Sequence, residues 1–595
     1  MFVSRRSVWG RIGKVLALSL TLTLMACSGG SDDDDDDGGS DGGVNVDAGS
    51  NAGADGGSDA GSDAGRDAGS NAGSDAGSNA GRDAGSDAGR DAGTDGGTPT
   101  GPVTLSGRVT YDFVPATYVP ATRSGTLAFA QTVVKPVRSA VIQVRQGGTL
   151  LATGTTNAEG RYTLTYTPGT SGTLTLVALA KSSQPEIQVE DNTDGNAVWS
   201  VGASLSATAT SQDLHASHGW TGSTYDPTRR AAAPFAILDS MYTAARAFMA
   251  VRTVNFPMLK VNWSPNNVPQ FGDKSLGQIG TSHFMSVENE IYILGKDGVD
   301  TDEFDSHVIV HEWGHYFEST LARSDSPGGS HGLGDVLDPR LSFGEGYGNA
   351  LAAIVLPESI YVDTSWIGNG VLAAFGFDAE TAPSPTDDPT PGVFSETSVM
   401  RILYDLYDSG ANESAYDQVS FGIGTFYDVL VGPQRSTEAL TTLGSFLHGL
   451  KAQPGVNTAA VDALVAHYGV GSVTSVFGDG DASLRAMYVT VPSSYPYTTT
   501  VSLRGGQDSN KRQQNRYFVF TGTGRRMRIG ASNTNEDVGI EAYRSGTLVG
   551  IANVSSRGEE SFTFNSRADT RYVLVVTGYS KTNANYNVAV SISSP

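Results

Sequence analysis

The chain has 595 residues, with 63 acidic against 39 basic side chains and a formal net charge of −24. That length is enough for several domains, and that charge argues against general nucleic-acid binding. A single cysteine, Cys27, excludes an intramolecular disulfide, so the fold must stand on its packed core and on any metal it holds.

Residues 1–27 have the order of a secretion signal. Arg5, Arg6, Arg11 and Lys14 precede an apolar stretch over 15–26 that is too short to span a bilayer comfortably. It ends Leu24-Met25-Ala26-Cys27, which resembles the lipobox of bacterial lipoproteins. The resemblance implies that Cys27 is acylated, becomes the mature N-terminus and anchors the protein to a membrane. Residues 28–100 follow with six consecutive acids, Asp32 to Asp37, and then a four-residue Ser/Arg-Asp/Asn-Ala-Gly repeat. With almost no apolar bulk this segment cannot offset its chain entropy, so it is expected to be a disordered tether. Its r.m.s. reach would be about 45–50 Å. Nothing later in the chain reads as a membrane-spanning helix.

Residues 101–205 read as all-β, with strands expected over 103–111, 140–145, 150–155, 162–166 and 173–180 between Gly and Pro turns. Ser106-Gly107-Arg108-Val109-Thr110 and the later Thr156-Asn157-Ala158-Glu159-Gly160-Arg161-Tyr162 resemble the carboxypeptidase regulatory-like β-sandwich. The resemblance implies a module without chemistry of its own; a prosegment is the rival reading.

Residues 206–475 carry the chemistry. A helix is expected over 232–251 and strands over 258–263 and 290–294. Then comes Val308-Ile309-Val310-His311-Glu312-Trp313-Gly314-His315. On a helix, His311 and His315 lie one turn apart and can hold one Zn²⁺ from the same side. Glu312 is offset so that it reaches a metal-bound water without being a ligand, as a general base needs. Asp300 is expected to cap this helix, with Glu303 completing a loose capping box. Residues 341–355 read as a second helix ended by Pro357, and Glu345 is its one carboxylate. A buried Glu is costly unless it is paired or bound to metal, which makes Glu345 the expected third ligand.

Here the sequence resembles the gluzincin metallopeptidases, the thermolysin-like and fungalysin-like enzymes, which pair His-Glu-x-x-His with a Glu on a following helix. Thermolysin-like enzymes carry, four residues after that Glu, an Asp that orients the first His; here the position holds Asn349. Gluzincins also place a substrate-pairing edge strand just before the zinc helix, which points to 290–294 or 281–287. The helix expected over 394–408 looks like a fungalysin helix opening on Gly-Glu, here Ser395-Glu396, but Gly392 stands where those enzymes have a His. The group that stabilises the oxyanion is therefore left open among His331, Tyr347 and Tyr404. His307 is expected to pack or to support the ligands. Asp297, Asp300, Asp302 and Asp305 also raise calcium, although acidity at a helix start accounts for most of them. Helices over 437–451 and 459–467 would close this unit.

Residues 490–595 are again β, with strands expected over 517–521, 527–531, 538–543, 561–564, 572–577 and 585–590. Their pattern resembles the bacterial pre-peptidase C-terminal β-sandwich. The expected whole is multidomain: an α+β zincin-like unit flanked by two all-β sandwiches after the tether. The expected function is that of a zinc metalloendopeptidase acting on extracellular proteins, exported and lipid-anchored to the bacterial cell envelope. Its partners would be a protein or peptide substrate and, through Cys27, a membrane, with no nucleic acid. The rivals are a surface adhesion or binding lipoprotein with a silent peptidase-like domain, and a zinc hydrolase acting on other bonds.

Overall fold

The computed structural model describes residues 101–594, apart from 123, 368–370, 411, 412, 414, 507 and 555–557. The expected signal, Cys27 and the expected acidic tether lie outside the described residues.

The protein mixes α and β structure. A mixed sheet is built from β1 (Ala140–Gln146), β2 (Thr149–Thr155), β3 (Leu174–Ser183), β4 (Glu186–Asp191), β5 (Leu259–Trp263), β6 (His283–Met285) and β7 (Glu290–Ile293). Its spatial order is β6-β7-β5-β4-β3-β1-β2. Residues from either side of position 205 thus share one sheet, because β4 runs parallel to β5 with Val189 opposite Val261. The alternation of β3 explains its place: Leu174, Leu176, Ala178 and Ala180 are buried on one face. One continuous core carries on through Phe235 and Trp263 to Trp313 and Leu403, and includes Tyr517 and Val575 from the C-terminal region. Burying side chains of this size contributes about 1.5–3 kcal/mol each.

Four helices carry or flank the His-Glu-x-x-His segment: α1 (Ala233–Met249), α2 (Ser306–Thr320), α3 (Pro339–Val355) and α4 (Glu396–Tyr407). Phe248 of α1 stacks on Phe317 of α2 at 4.6 Å and on Trp313 at 5.7 Å. α3 begins with Asp338 accepting from Arg340 N–H and Pro339 in the first turn, and stops before Pro357. Between α2 and α3 the backbones approach closely. A Cβ at Gly348 would lie 2.8 Å from His311 Nδ1, so this position admits only glycine without displacing the imidazole.

Two expected helix starts are corrected. α2 begins at Ser306, not after Asp300, which sits instead in a short strand, β8 (Asp300–Thr301). Glu303 is drawn away from a capping role by the buried Arg230, whose Nε donates to it at 3.0 Å. The helix expected from residue 437 starts at Leu443, where Thr442 and Ser445 form a reciprocal capping box. A hairpin of β9 (Ile360–Ile367) and β10 (Val371–Asp378), not foreseen from the sequence, follows α3.

The C-terminal residues form a five-stranded and a four-stranded sheet around their own core of Phe518, Ile540, Leu574, Ile529, Val590 and Ile592. All six strands expected there are present. This two-sheet unit docks on the loop between α2 and α3. Tyr517 Oη donates to Asp338 Oδ2 at 2.6 Å, and Asn510 Nδ2 donates to the carbonyls of Gly328 and Ser330 at 2.9 and 3.0 Å.

Candidate metal centre

α2 and α3 bring the three expected ligands together. His311 Nε2 lies 3.0 Å from His315 Nε2 and 3.2 Å from Glu345 Oε2, and His315 Nε2 lies 3.5 Å from the same oxygen. All three side chains are buried. Three donors on a tetrahedral zinc at about 2.0–2.1 Å would be about 3.3–3.4 Å apart. The donor set and its spacing therefore fit zinc, and two imidazoles with one carboxylate suit it chemically.

The ring nitrogens that face away from the cluster are tied down. Asn349 Oδ1 lies 2.8 Å from His311 Nδ1, so the amide occupies the orienting position that the sequence assigned to it. Glu318 Oε2 lies 3.5 Å from His315 Nδ1. Sequence reasoning missed Glu318, although a carboxylate three residues after a ligand His on the same helix was a usable signal.

Glu312 is buried beside the ligands, and its Oε2 accepts the backbone N–H of Phe284 at 2.8 Å. Phe284 belongs to β6, the terminal strand of the sheet. Of the two segments expected to be an edge strand, the structure places β6 at the edge and β7 inside. Because the Phe284 N–H turns to Glu312 and not to β7, the unpaired side of β6 runs along the metal centre.

His331 is the one of the three open candidates that reaches the cluster. Its Nε2 lies 3.4 Å from both Glu345 Oε2 and Glu396 Oε2. The loop between α2 and α3 delivers it, while Gly392 has no side chain to offer. Tyr347 is buried against Phe343 and Phe317, and its hydroxyl has no hydrogen-bond partner among the described residues. Tyr404 is half-buried on α4. His307 packs at the rim: its Nε2 meets the Glu358 carbonyl at 2.9 Å and its ring packs on Tyr361.

Charge is concentrated here. Burial opposes a proton on His315, but Glu345, Glu318 and Glu312 outweigh it and hold this imidazole well above its usual range. Burial likewise opposes charge on His331, and Glu345 and Glu396 push it up to about 10. Burial works against ionised Glu345, yet His331, His315 and His311 keep it well below the usual carboxylate range. At neutral pH the metal-free cluster therefore holds a proton that a metal-binding His315 must give up. Protons then compete with zinc, so affinity should rise about tenfold per pH unit between pH 6 and 8. Competition against a chromophoric chelator at several pH values measures this; a flat profile would contradict the assignment.

No protein-family model matches the chain, and no curated protein matches it. Three solved structures are each similar to a small part of the chain, at low identity and low TM-score. The pre-peptidase C-terminal domain of a collagenase from Bacillus anthracis is 14% identical over 18% of this chain and 92% of that chain, with a TM-score of 0.15. CorA, a surface-associated copper-binding protein of Methylomicrobium album BG8, is 9% identical over 18% and 98%, with a TM-score of 0.15. PliG of Aeromonas hydrophila, a periplasmic inhibitor of g-type lysozyme, is 8% identical over 18% and 95%, with a TM-score of 0.14.

Proposed function

We propose that the protein is a zinc metalloendopeptidase of gluzincin type with a zincin-like catalytic core, exported and held at the cell envelope through Cys27. The observation that carries this reading is the meeting of His311, His315 and Glu345 in one buried cluster with Glu312 beside it and a sheet edge alongside. His311, His315 and Glu345 would hold the zinc, which when bound supplies Lewis acidity toward a carbonyl and toward water.

The chain's own residues supply the rest. β6 offers backbone groups on which an extended peptide can pair, a general recognition mode that fixes the scissile bond in register. Glu312, held by the Phe284 amide, takes the proton of the attacking water onto its carboxylate and passes it to the leaving amine. His331, braced by Glu396, would offer a ring N–H to the carbonyl oxygen as negative charge develops on it. The docked C-terminal strands fix the loop that carries His331. In this reading the C-terminal sandwich resembles a pre-peptidase C-terminal module, while residues 101–205, several of whose strands share a sheet with residues 259–293, belong to the body that carries the metal centre.

The test is hydrolysis by the zinc-loaded chain of an unstructured protein, beside a panel of esters. Cleavage at internal peptide bonds, mapped by mass spectrometry, is the expected result. Turnover of esters alone would replace this reading with that of a different zinc hydrolase, and no turnover would favour the binding lipoprotein.

A further inference from the structure

A second acidic cluster lies at the entry to α2 and takes no part in the chemistry above. Asp300 on β8, Asp302 just after it and Asp363 on β9 each offer one carboxylate oxygen, and these oxygens lie within 4.8 Å of one another. The register explains the meeting. Asp300 pairs with Ser365, and Asp363, two residues along β9, shares the face of Ser365. Asp305, the residue before α2, joins them from the helix side. Its Oδ2 accepts from Thr364 N–H at 2.7 Å and from Thr364 Oγ1 at 2.8 Å. That leaves its Oδ1 without a partner, in the field of Asp302 and Asp363.

These four residues are only 8%, 4%, 1% and 8% exposed for Asp300, Asp302, Asp305 and Asp363. The Oδ1 atom of each has no hydrogen-bond partner among the described residues. Within the same residues none of the four is in an ion pair, and Arg230, which reaches this region, is committed to Glu303 and to the Gly295 carbonyl. Acidity at a helix start does not account for Asp300, Asp302 and Asp363, because the first turn of α2 holds no acid, and Asp305 at its N-cap makes no side-chain capping bond. Buried carboxylates with unsatisfied oxygens cost several kcal/mol each unless a cation or shared protons compensate.

We propose that Asp300, Asp302, Asp305 and Asp363 form a second metal site, for calcium. A donor set made wholly of carboxylate oxygens selects a hard cation over zinc. Calcium accepts 6–8 oxygens at about 2.3–2.6 Å, so its ligand atoms spread up to about 5 Å across the ion, as those of Asp300, Asp302 and Asp363 do, with Asp305 beside them. The ion would bind β8, the β9–β10 hairpin and the start of the zinc helix to one another. It would thereby support the metal centre from behind: Tyr361, two residues from Asp363, has its ring 6.3 Å from that of His311. None of the four side chains belongs to the proposed zinc set, so failure here would leave the peptidase reading standing.

The experiment uses the full chain, stripped with EDTA and reloaded with one equivalent of zinc. Calcium chloride is titrated in by calorimetry, and thermal unfolding is followed with and without millimolar calcium. The expected result is one calcium per chain and a rise of several degrees in Tm. Asp363→Asn and Asp300→Asn should each lose the binding and the rise; should one fail to fold, the other locates the site. Absence of both heat and Tm shift in the parent would overturn the proposal, as would calcium binding undiminished in a folded variant.

Discussion

Replacing Glu312 by Gln is expected to lower peptide hydrolysis by on the order of 10³–10⁴-fold while zinc content stays at one per chain. Gln matches Glu in size, and its amide oxygen can still accept the Phe284 N–H that Glu312 Oε2 accepts at 2.8 Å. The edge strand and the helix should therefore keep their positions. What is lost is the ability to take a proton from water at neutral pH and to return it to the leaving amine. The measurement is kcat and KM on one peptide for parent and variant at equal zinc occupancy, with the loss falling in kcat. A variant that kept more than a tenth of the parent's kcat would remove Glu312 from the role of base.

Replacing Glu345 by Gln should have the second large effect, and through a different cause. Glu345 sits at the centre of three imidazoles, 3.2 Å from His311, 3.5 Å from His315 and 3.4 Å from His331. Removing its charge takes away a metal donor and leaves the buried histidines without their counter-charge. Zinc affinity should fall by more than the roughly 10–100-fold that loss of an outer partner costs. Activity should fall with it. Chelator competition and metal analysis after dialysis measure the loss directly. An Asp at this position, shorter by one methylene, should recover part of the affinity but not the parent's. If Glu345→Gln held an equivalent of zinc as tightly as the parent, the third ligand would have to be sought elsewhere.

Much of this centre was legible in the sequence because it depends on local spacing. His311 and His315 are one turn apart on one helix, so helical geometry alone brings them together, and Glu345 stood out as the lone carboxylate of the next helix, where burial is costly without a partner. The glycine-rich run over 344–348 also carried information, since Gly348 lets α3 close on the His311 ring. Strands such as 140–145, 517–521 and 572–577 were readable from alternation and β-branched content.

What was not legible depends on contacts distant in the chain. His331 lies in a loop whose course is set partly by Asn510 and Tyr517, some 180 residues later. The true start of α2 was hidden because Arg230, not a backbone amide, claims Glu303. The acidic cluster was half visible: Asp300, Asp302 and Asp305 stood out, but Asp363 arrives on a hairpin that the sequence did not announce. Nor does spacing show that residues 140–191 and 259–293 share a sheet, because the parallel pairing of β4 with β5 closes a long loop.

The roles proposed for Glu312, His331 and β6 depend on the zinc centre, and anomalous scattering tests that centre most directly. Crystals of the zinc-loaded chain, with data collected on both sides of the zinc absorption edge, should show one strong peak bounded by His311 Nε2, His315 Nε2 and Glu345 Oε2, at about 2.0–2.1 Å from each. Equimolar zinc with no peak among those three atoms, or with its peak at another set of side chains, would contradict the assignment.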